Sequence, residues 1–278
     1  MNIKEQFLAE CLQELEAKRL VLPTLPELAI RVRQAVDDPH ATAAKVAKVI
    51  STDAAISAHL IRIANSAFYR GRTPVEDLPT AVTRLGLRLV RNLVMGLVIR
   101  QLYQVRVSPP IRERLAALQA LNTRVAAHSH VLAQKFTSLQ PDVAMLGGLI
   151  HRIGELPILL KADKVPELLY HPQALDGIIE ELHRPVGIAL LKAWNFPETL
   201  ITVVAECENL QRSPPQVDYA DVVLVARLLV LAGTDHPAGR IPLEGISAFS
   251  RLDMTPERLI EAMREAKEAI SEMEKLLS

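Results

Sequence analysis

One spacing dominates this sequence. Apolar residues return every three or four positions along nearly every segment, and no segment of any length alternates at period two. That spacing puts an apolar stripe on one face of an α-helix and does not suit a half-buried strand. Ile3, Phe7, Cys11, Leu12 and Leu15 make such a stripe over residues 3–18, and Leu87, Val90, Leu93, Val94, Leu97 and Leu102 make a longer one. Aromatics are only 4% of the chain, and its 18 prolines outnumber its 11 glycines. The expected fold class is therefore all-α, a multi-helical bundle punctuated by prolines. With 49% apolar residues in 278, a core for one large domain or two ordinary ones is available.

The punctuation places the helices. Pro26 is suited to the first position of one, Thr42 and Asp53 to capping the next two, and Gly86 to ending a fourth. Ser108-Pro109-Pro110 is the strongest internal boundary, because consecutive prolines stop a helix and restrict the residue before them. Helices are expected near 111–137, 142–162, 173–194, 197–208 and 217–233. The chain then divides into an N-terminal helix (1–17), a first helical half (18–108), a second half (109–235) and a C-terminal extension (236–278). In that extension Thr255-Pro256-Glu257 opens an amphipathic helix. Leu259, Met263, Ala266, Ile270, Met273 and Leu277 step along it as a heptad seam. Such a seam either packs on its own domain or forms a homodimer through residues 255–277.

Formal net charge is zero, which argues against a nucleic-acid partner. Eight arginines nevertheless fall between Arg62 and Arg106 against only Glu76 and Asp77. They are either solvated, salt-bridged faces or a surface for an acidic protein, with Arg84, Arg88 and Arg91 at its centre. Two distant cysteines, Cys11 and Cys207, make no disulfide framework and fit a reducing cytoplasm. The N-terminus is charged throughout, unlike a signal peptide. The run Val222–Ala232 reads as the most apolar, is broken by Arg227 and is too short to span a bilayer, so no membrane association is expected.

Several longer stretches are distinctive in combination. They are LPTLPELAIRV, then VISTDAAISAHLIRIANSAFY with Asn65, Ser66 and Tyr69, then PTAVTRLGLRLVRNLVMG with Gly86. The second half adds HSHVLAQKF, GGLIHRIG with Gly148 and Gly154, and ELHRPVGIALLKAWNFPETL with Trp194 and Pro197. Together they resemble the HDOD domain over about residues 18–230. One departure is Ala54, where the family usually has proline after Ser51-Thr52-Asp53. The resemblance implies an all-α bundle of HD/HDOD type in two helical halves. It also implies kinship with the HD metal-dependent phosphohydrolases, and usually a non-catalytic role in bacterial signalling.

HD phosphohydrolases gather His and Asp around one or two metal ions, which polarise a phosphoryl oxygen and acidify water. In this chain His128 matches the first histidine of that pattern, His151 the histidine of the HD pair, and His183 a later one. His130 lies two positions from His128, about 200° round a helix, so the two cannot easily share a metal. Arg152 stands where the aspartate of the pair would ligate; a guanidinium has no lone pair to give and repels a cation. Cys207 and Glu208 fall where a competent relative would offer histidines, and Arg227 falls at a final acidic or amide position. Cys207 or Glu208 could in principle ligate zinc. There is no HExxH, CxxC, GxSxG, GxxxxGK[ST] or GxGxxG, and Gly147-Gly148 sits in a helical pattern where close packing explains it.

The reading is thus a non-catalytic signalling module acting through protein partners, with no cofactor expected. The alternative is a phosphohydrolase holding a divalent transition metal. Between them lies a third possibility, that Arg152 and Arg227 line the old site and bind a nucleotide or another anion. A cavity lined by carboxylates would remove that third reading.

Overall fold

The computed structural model describes residues 3–278, and among them every regular element is a helix. In chain order these are α1 (Ile3–Glu16), α2 (Glu27–Asp37), α3 (Ala43–Ile50), α4 (Ala54–Ala64), α5 (Leu78–Leu85) and α6 (Leu87–Gln101). Then come α7 (Pro109–Phe136), α8 (Pro141–Ile150), α9 (Glu155–Ala162), α10 (Pro166–Leu169), α11 (Pro172–Ala193), α12 (Glu198–Glu206) and α13 (Tyr219–Leu231). A 3-10 turn (Pro237–Arg240), α14 (Ser247–Arg251), α15 (Pro256–Glu265) and α16 (Lys267–Leu277) complete the chain.

The caps lie where polar side chains can satisfy the free N–H groups of a helix start. Thr42 accepts from the Lys45 N–H, Asp53 from Ile56 and Asp77 from Thr80. Pro26 is the cap residue itself, one position earlier than expected. Gly86 ends α5 and starts α6 with φ +80°, a backbone region that glycine enters at little cost. Pro109 and Pro110 close the first half and also open α7, whose first turn tolerates their missing N–H groups.

At 28 residues α7 is the spine, about 42 Å long at 1.5 Å per residue. It packs against α8, α13 and α16. Helices α2–α6 pack among themselves and meet the second half chiefly through α6 on α8, while α1 lies on α10 and α11. The expected helix over 142–162 is two helices. It breaks at His151–Gly154, where the chain tightens into i→i−3 bonds from Ile153 to Ile150 and from Glu155 to Arg152. The cause is close packing at two glycines. A side chain on Gly154 would fall on the His183 carbonyl of α11, and one on Gly148 would fall on the Ala126 backbone of α7. Gly147 has only ordinary contacts, so the close approach belongs to its neighbour.

Among the described residues, the stretch 141–162 is also the one long and apolar enough to cross a membrane by composition, rather than Val222–Ala232. Its window is 83% buried inside the bundle, and the turn at 151–154 divides it. The terminal seam breaks as well, at Ala266, into α15 and α16. All six seam residues are buried within the chain, with α16 packed on α7. His59 meets the Leu276 carbonyl, Arg100 donates to the Leu277 carbonyl at 2.9 Å, and Glu272 accepts from the Ala67 N–H at 2.6 Å. The seam residues are therefore covered within the chain, and α16 joins the first half to the second.

Candidate functional site

The turn between α8 and α9 drives Arg152 into the interior. Its guanidinium is 4% exposed and meets three carboxylates: Glu155 one turn on, Glu180 of α11 at 2.6 Å and Glu208 beyond α12 at 2.6 Å. Glu208 is also ion-paired with Arg227 of α13 at 3.0 Å and lies 3.1 Å from His183 Nε2. Five elements therefore converge on one charge cluster. Gly154 makes it possible, since only a residue without Cβ lets the turn reach α11 beside His183.

Burial disfavours the charge on Arg152, but Glu155, Glu208 and Glu180 outweigh it and hold the guanidinium protonated more firmly than an ordinary arginine. Burial would likewise raise Glu208; the His183 hydrogen bond and the charges of Arg152 and Arg227 overcome that and hold its carboxyl far below the usual range. His151 is fully buried. Its Nδ1–H donates to the Gly148 carbonyl at 2.8 Å, and burial, then Arg227, lower it to about 3. Burial, then Glu208, push the Cys207 thiol up to about 12.

Of the histidines expected to share a site, His151 and His183 border this cluster. His128 does not: it is half-buried on α7, bonded to the Arg124 carbonyl one turn back, and outside the cleft lining. His130 points elsewhere, edge-on to Phe68 at 5.6 Å between ring centres, as the rotation between positions 128 and 130 requires.

The cluster floors a cleft of about 950 Å³. Arg114, Arg184, Asp176 and Leu121 line its sides, and His236, Pro237 and Ile241 of the C-terminal extension form a wall over it. The expectation that Arg152 and Arg227 form an anion site fails here, because Glu155, Glu180, Glu208 and Asp176 line the same cleft and the first three already neutralise the buried arginines.

The metal of the HD phosphohydrolases does not fit either. Glu180, His183 and Glu208 bring ligand atoms within 4.8 Å of one another, and His151 Nε2 and His183 Nδ1 are buried without partners. The Arg152 guanidinium, however, is bonded to both of those carboxylates, and Arg227 reaches one of them. A cation would have to displace one fixed positive charge and sit beside another. Sequence reasoning missed Glu180, although it lies three residues before His183 on the same helical face. It also missed the wall at His236, for which the sequence carries no local signal.

The signature residues of the first half are structural. Asn65 Nδ2 donates to the Val75 carbonyl and its Oδ1 accepts from the Val75 N–H, both at 2.8 Å, which clamps the loop between α4 and α5. Arg84 donates to the Thr73 carbonyl at 2.7 Å and to Ala64 at 3.3 Å, so it is a clasp on that loop rather than a free cation. Arg88 lies 3.5 Å from Asp142 and Arg91 3.0 Å from Asp37; the three arginines expected to greet a partner are thus engaged within the chain. Ser66 Oγ is buried without a partner, and its carbonyl accepts from Tyr69 and Arg70. Burial, then Asp142, push Tyr69 up to about 12. Trp194 Nε1 donates to the Pro23 carbonyl at 2.9 Å, tying the second half to the segment before α2, and Pro197 caps α12.

Comparison with known proteins agrees with this architecture. A solved structure from Shewanella amazonensis SB2B, provisionally named a metal-dependent phosphohydrolase, is 28% identical with TM-score 0.82, covering 100% of both chains. An HDOD domain protein of unknown function from Geobacter sulfurreducens shares the fold at 22% identity and TM-score 0.69, over 98% of this chain and 97% of that one. A provisionally named signal transduction protein of Marinobacter aquaeolei VT8 does so at 21% and 0.67, over 99% of this chain and 65% of that one. An uncharacterised protein of Treponema pallidum is 27% identical over 239 residues; these span 82% of this chain and only 46% of that protein. The HDOD domain family model matches residues 22–210, and with that the chain belongs to the HDOD domain family.

Proposed function

We propose that this protein is a non-catalytic regulatory module that acts through protein partners in the cytoplasm. The observation that carries the reading is the position of Arg152. Its guanidinium supplies, from within the chain, the positive charge that Glu155, Glu180 and Glu208 would otherwise need from an ion. Chemistry at an HD site needs a metal with an open coordination position for water or a phosphoryl oxygen. A guanidinium offers neither, and with no lone pair and no accessible neutral form it cannot act as a base. The two cysteines, both buried and unpaired, suit a reducing compartment. A net charge of zero suits a protein partner better than a nucleic acid.

The test is elemental analysis of protein purified without chelator, repeated after manganese, iron and zinc have each been offered. The expected result is no stoichiometric metal and no phosphoester hydrolysis above buffer. About one metal per chain with hydrolysis that His183→Ala abolishes would overturn the reading in favour of the metal-dependent alternative.

A further inference from the structure

Helix α11 carries two apolar stripes. One, through Leu175, Ile178, Leu182, Val186 and Leu190, is buried in the bundle. The other runs Pro185, Ile188, Ala189, Lys192 and Ala193, at i, i+3, i+4, i+7 and i+8, and is half-buried to exposed at the edge of the contact between α1 and α11. It forms one wall of a groove of about 520 Å³, whose opposite wall is Leu15, Lys18, Leu20 and Leu22 from the end of α1 and the segment after it. Apart from exposed Ala193, the apolar side chains here are half-buried, and Val21 beside them is 83% exposed.

The charges of the groove have one sign. Both charged residues that line it are lysines, Lys18 on one wall and Lys192 on the other; both are exposed, and among the described residues neither is in an ion pair. This differs from the cleft over Arg152, where positive and negative groups cancel. Pro185 adds a further polar feature. Its ring nitrogen has no hydrogen, so the Glu181 carbonyl one turn back lacks its usual helical donor.

A half-exposed helical stripe facing a second apolar wall is a geometry that can receive the apolar face of another helix. Two unpaired lysines at its borders favour carboxylates flanking that face. We infer that the groove between α1 and α11 docks an acidic amphipathic helix of a partner protein. The groove is recessed and takes inserted side chains, whereas a membrane surface would meet a convex basic face. The inference rests on the reading of this chain as a partner-binding module, and it names where that binding occurs.

The probe is a synthetic amphipathic peptide of about four helical turns, with leucines at helical spacing on one face and glutamates flanking them. A copy with lysine in place of each glutamate is the control. Both are titrated into the full chain, with methyl NMR of Leu and Ile as the readout. The expected result is saturable shifts at Leu15, Leu20, Leu22 and Ile188, with the lysine copy weaker by at least about tenfold and the preference fading as salt rises. In the double variant Lys18→Glu/Lys192→Glu, which alters only exposed side chains, the preference should invert. Equal binding of both peptides, shifts centred on the cleft of Arg152, or an unchanged preference in the double variant would each overturn the inference. So would a dimer in sedimentation that the double variant dissolves, since a second copy would then be the occupant. Metal found at the Arg152 cluster would remove the proposed function and leave these titrations untouched, so the two readings fail separately.

Discussion

Replacing Arg152 with methionine removes the guanidinium while keeping much of the side-chain length. The wild-type cluster sets three carboxylates against Arg152 and Arg227, with His183 donating to one of them. In the variant, Glu155 and Glu208, whose side chains are only 12% and 11% exposed, lose their shared partner. Removing one member of a buried ion pair typically costs about 3–5 kcal/mol, because the remaining charge stays desolvated. The Glu180 contact adds little, since that side chain is 60% exposed and screened. Glu208 keeps Arg227 and His183, which limits the loss. The expected cost is therefore about 3 kcal/mol, seen in urea denaturation as a lower midpoint with unchanged slope. The sign of its pH dependence is fixed too. Arg152 helps hold the Glu208 carboxyl far below its ordinary range, so its stabilisation is full above the unfolded value near 4.5 and is lost as Glu208 protonates. The gap between wild type and variant should then narrow as pH falls below about 4.5, and Arg152→Met/Glu155→Gln should recover part of the loss at neutral pH, because among the described residues Arg152 is the one cation paired with Glu155. A single-variant cost under about 1 kcal/mol, or a gap that widens in acid, would refute the idea that this arginine acts as the site's internal cation.

Three further outcomes follow from the packing and from the buried histidines. Gly154→Ala should destabilise by more than the ~1–3 kcal/mol usual for overpacking, because the added methyl meets the His183 carbonyl, a backbone atom that cannot swing away; a urea midpoint near wild type would contradict it. Asn65→Ala should cost about 1–3 kcal/mol through its two hydrogen bonds to Val75 and should speed proteolysis between residues 66 and 77, read by mass spectrometry of the first cuts. Burial first, with Arg227 second, lowers His151 to about 3, and burial lowers His130 to about 4 against weaker help from Pro141 and Asp142. The folded chain keeps both neutral while the unfolded chain protonates them below about 6.5, so stability is full above that pH and declines beneath it. The loss should be about 1 kcal/mol per histidine between pH 7 and 5.5, and His130→Gln/His151→Gln should flatten the slope.

Much of the fold was legible because helices announce themselves locally. Thr42, Asp53 and Gly86 act at the positions their chemistry suggests, since a cap or a left-handed residue is decided within one turn of chain. The two breaks that were missed, at 151–154 and at Ala266, depend on what lies across the bundle. Nothing within 142–162 reveals that the His183 carbonyl will press on Gly154, and nothing in the heptad seam reveals that α7 will cover it.

The same division governs the site. That Arg152 cannot ligate a metal follows from its own chemistry, whatever surrounds it. Whether it is a cation free to bind an anion depends on its neighbours, and these come from positions 155, 180 and 208, scattered over three segments. A substitution that reverses a charge in a buried site cannot persist alone, because an unpaired buried guanidinium is costly. An arginine at an HD position therefore predicts carboxylates around it, and in this chain these are Glu155, Glu180 and Glu208. Arg227 follows the same rule: among the described residues its one ion-pair partner is Glu208. The shared carboxylate makes the two arginines one unit, so their substitutions should not be additive.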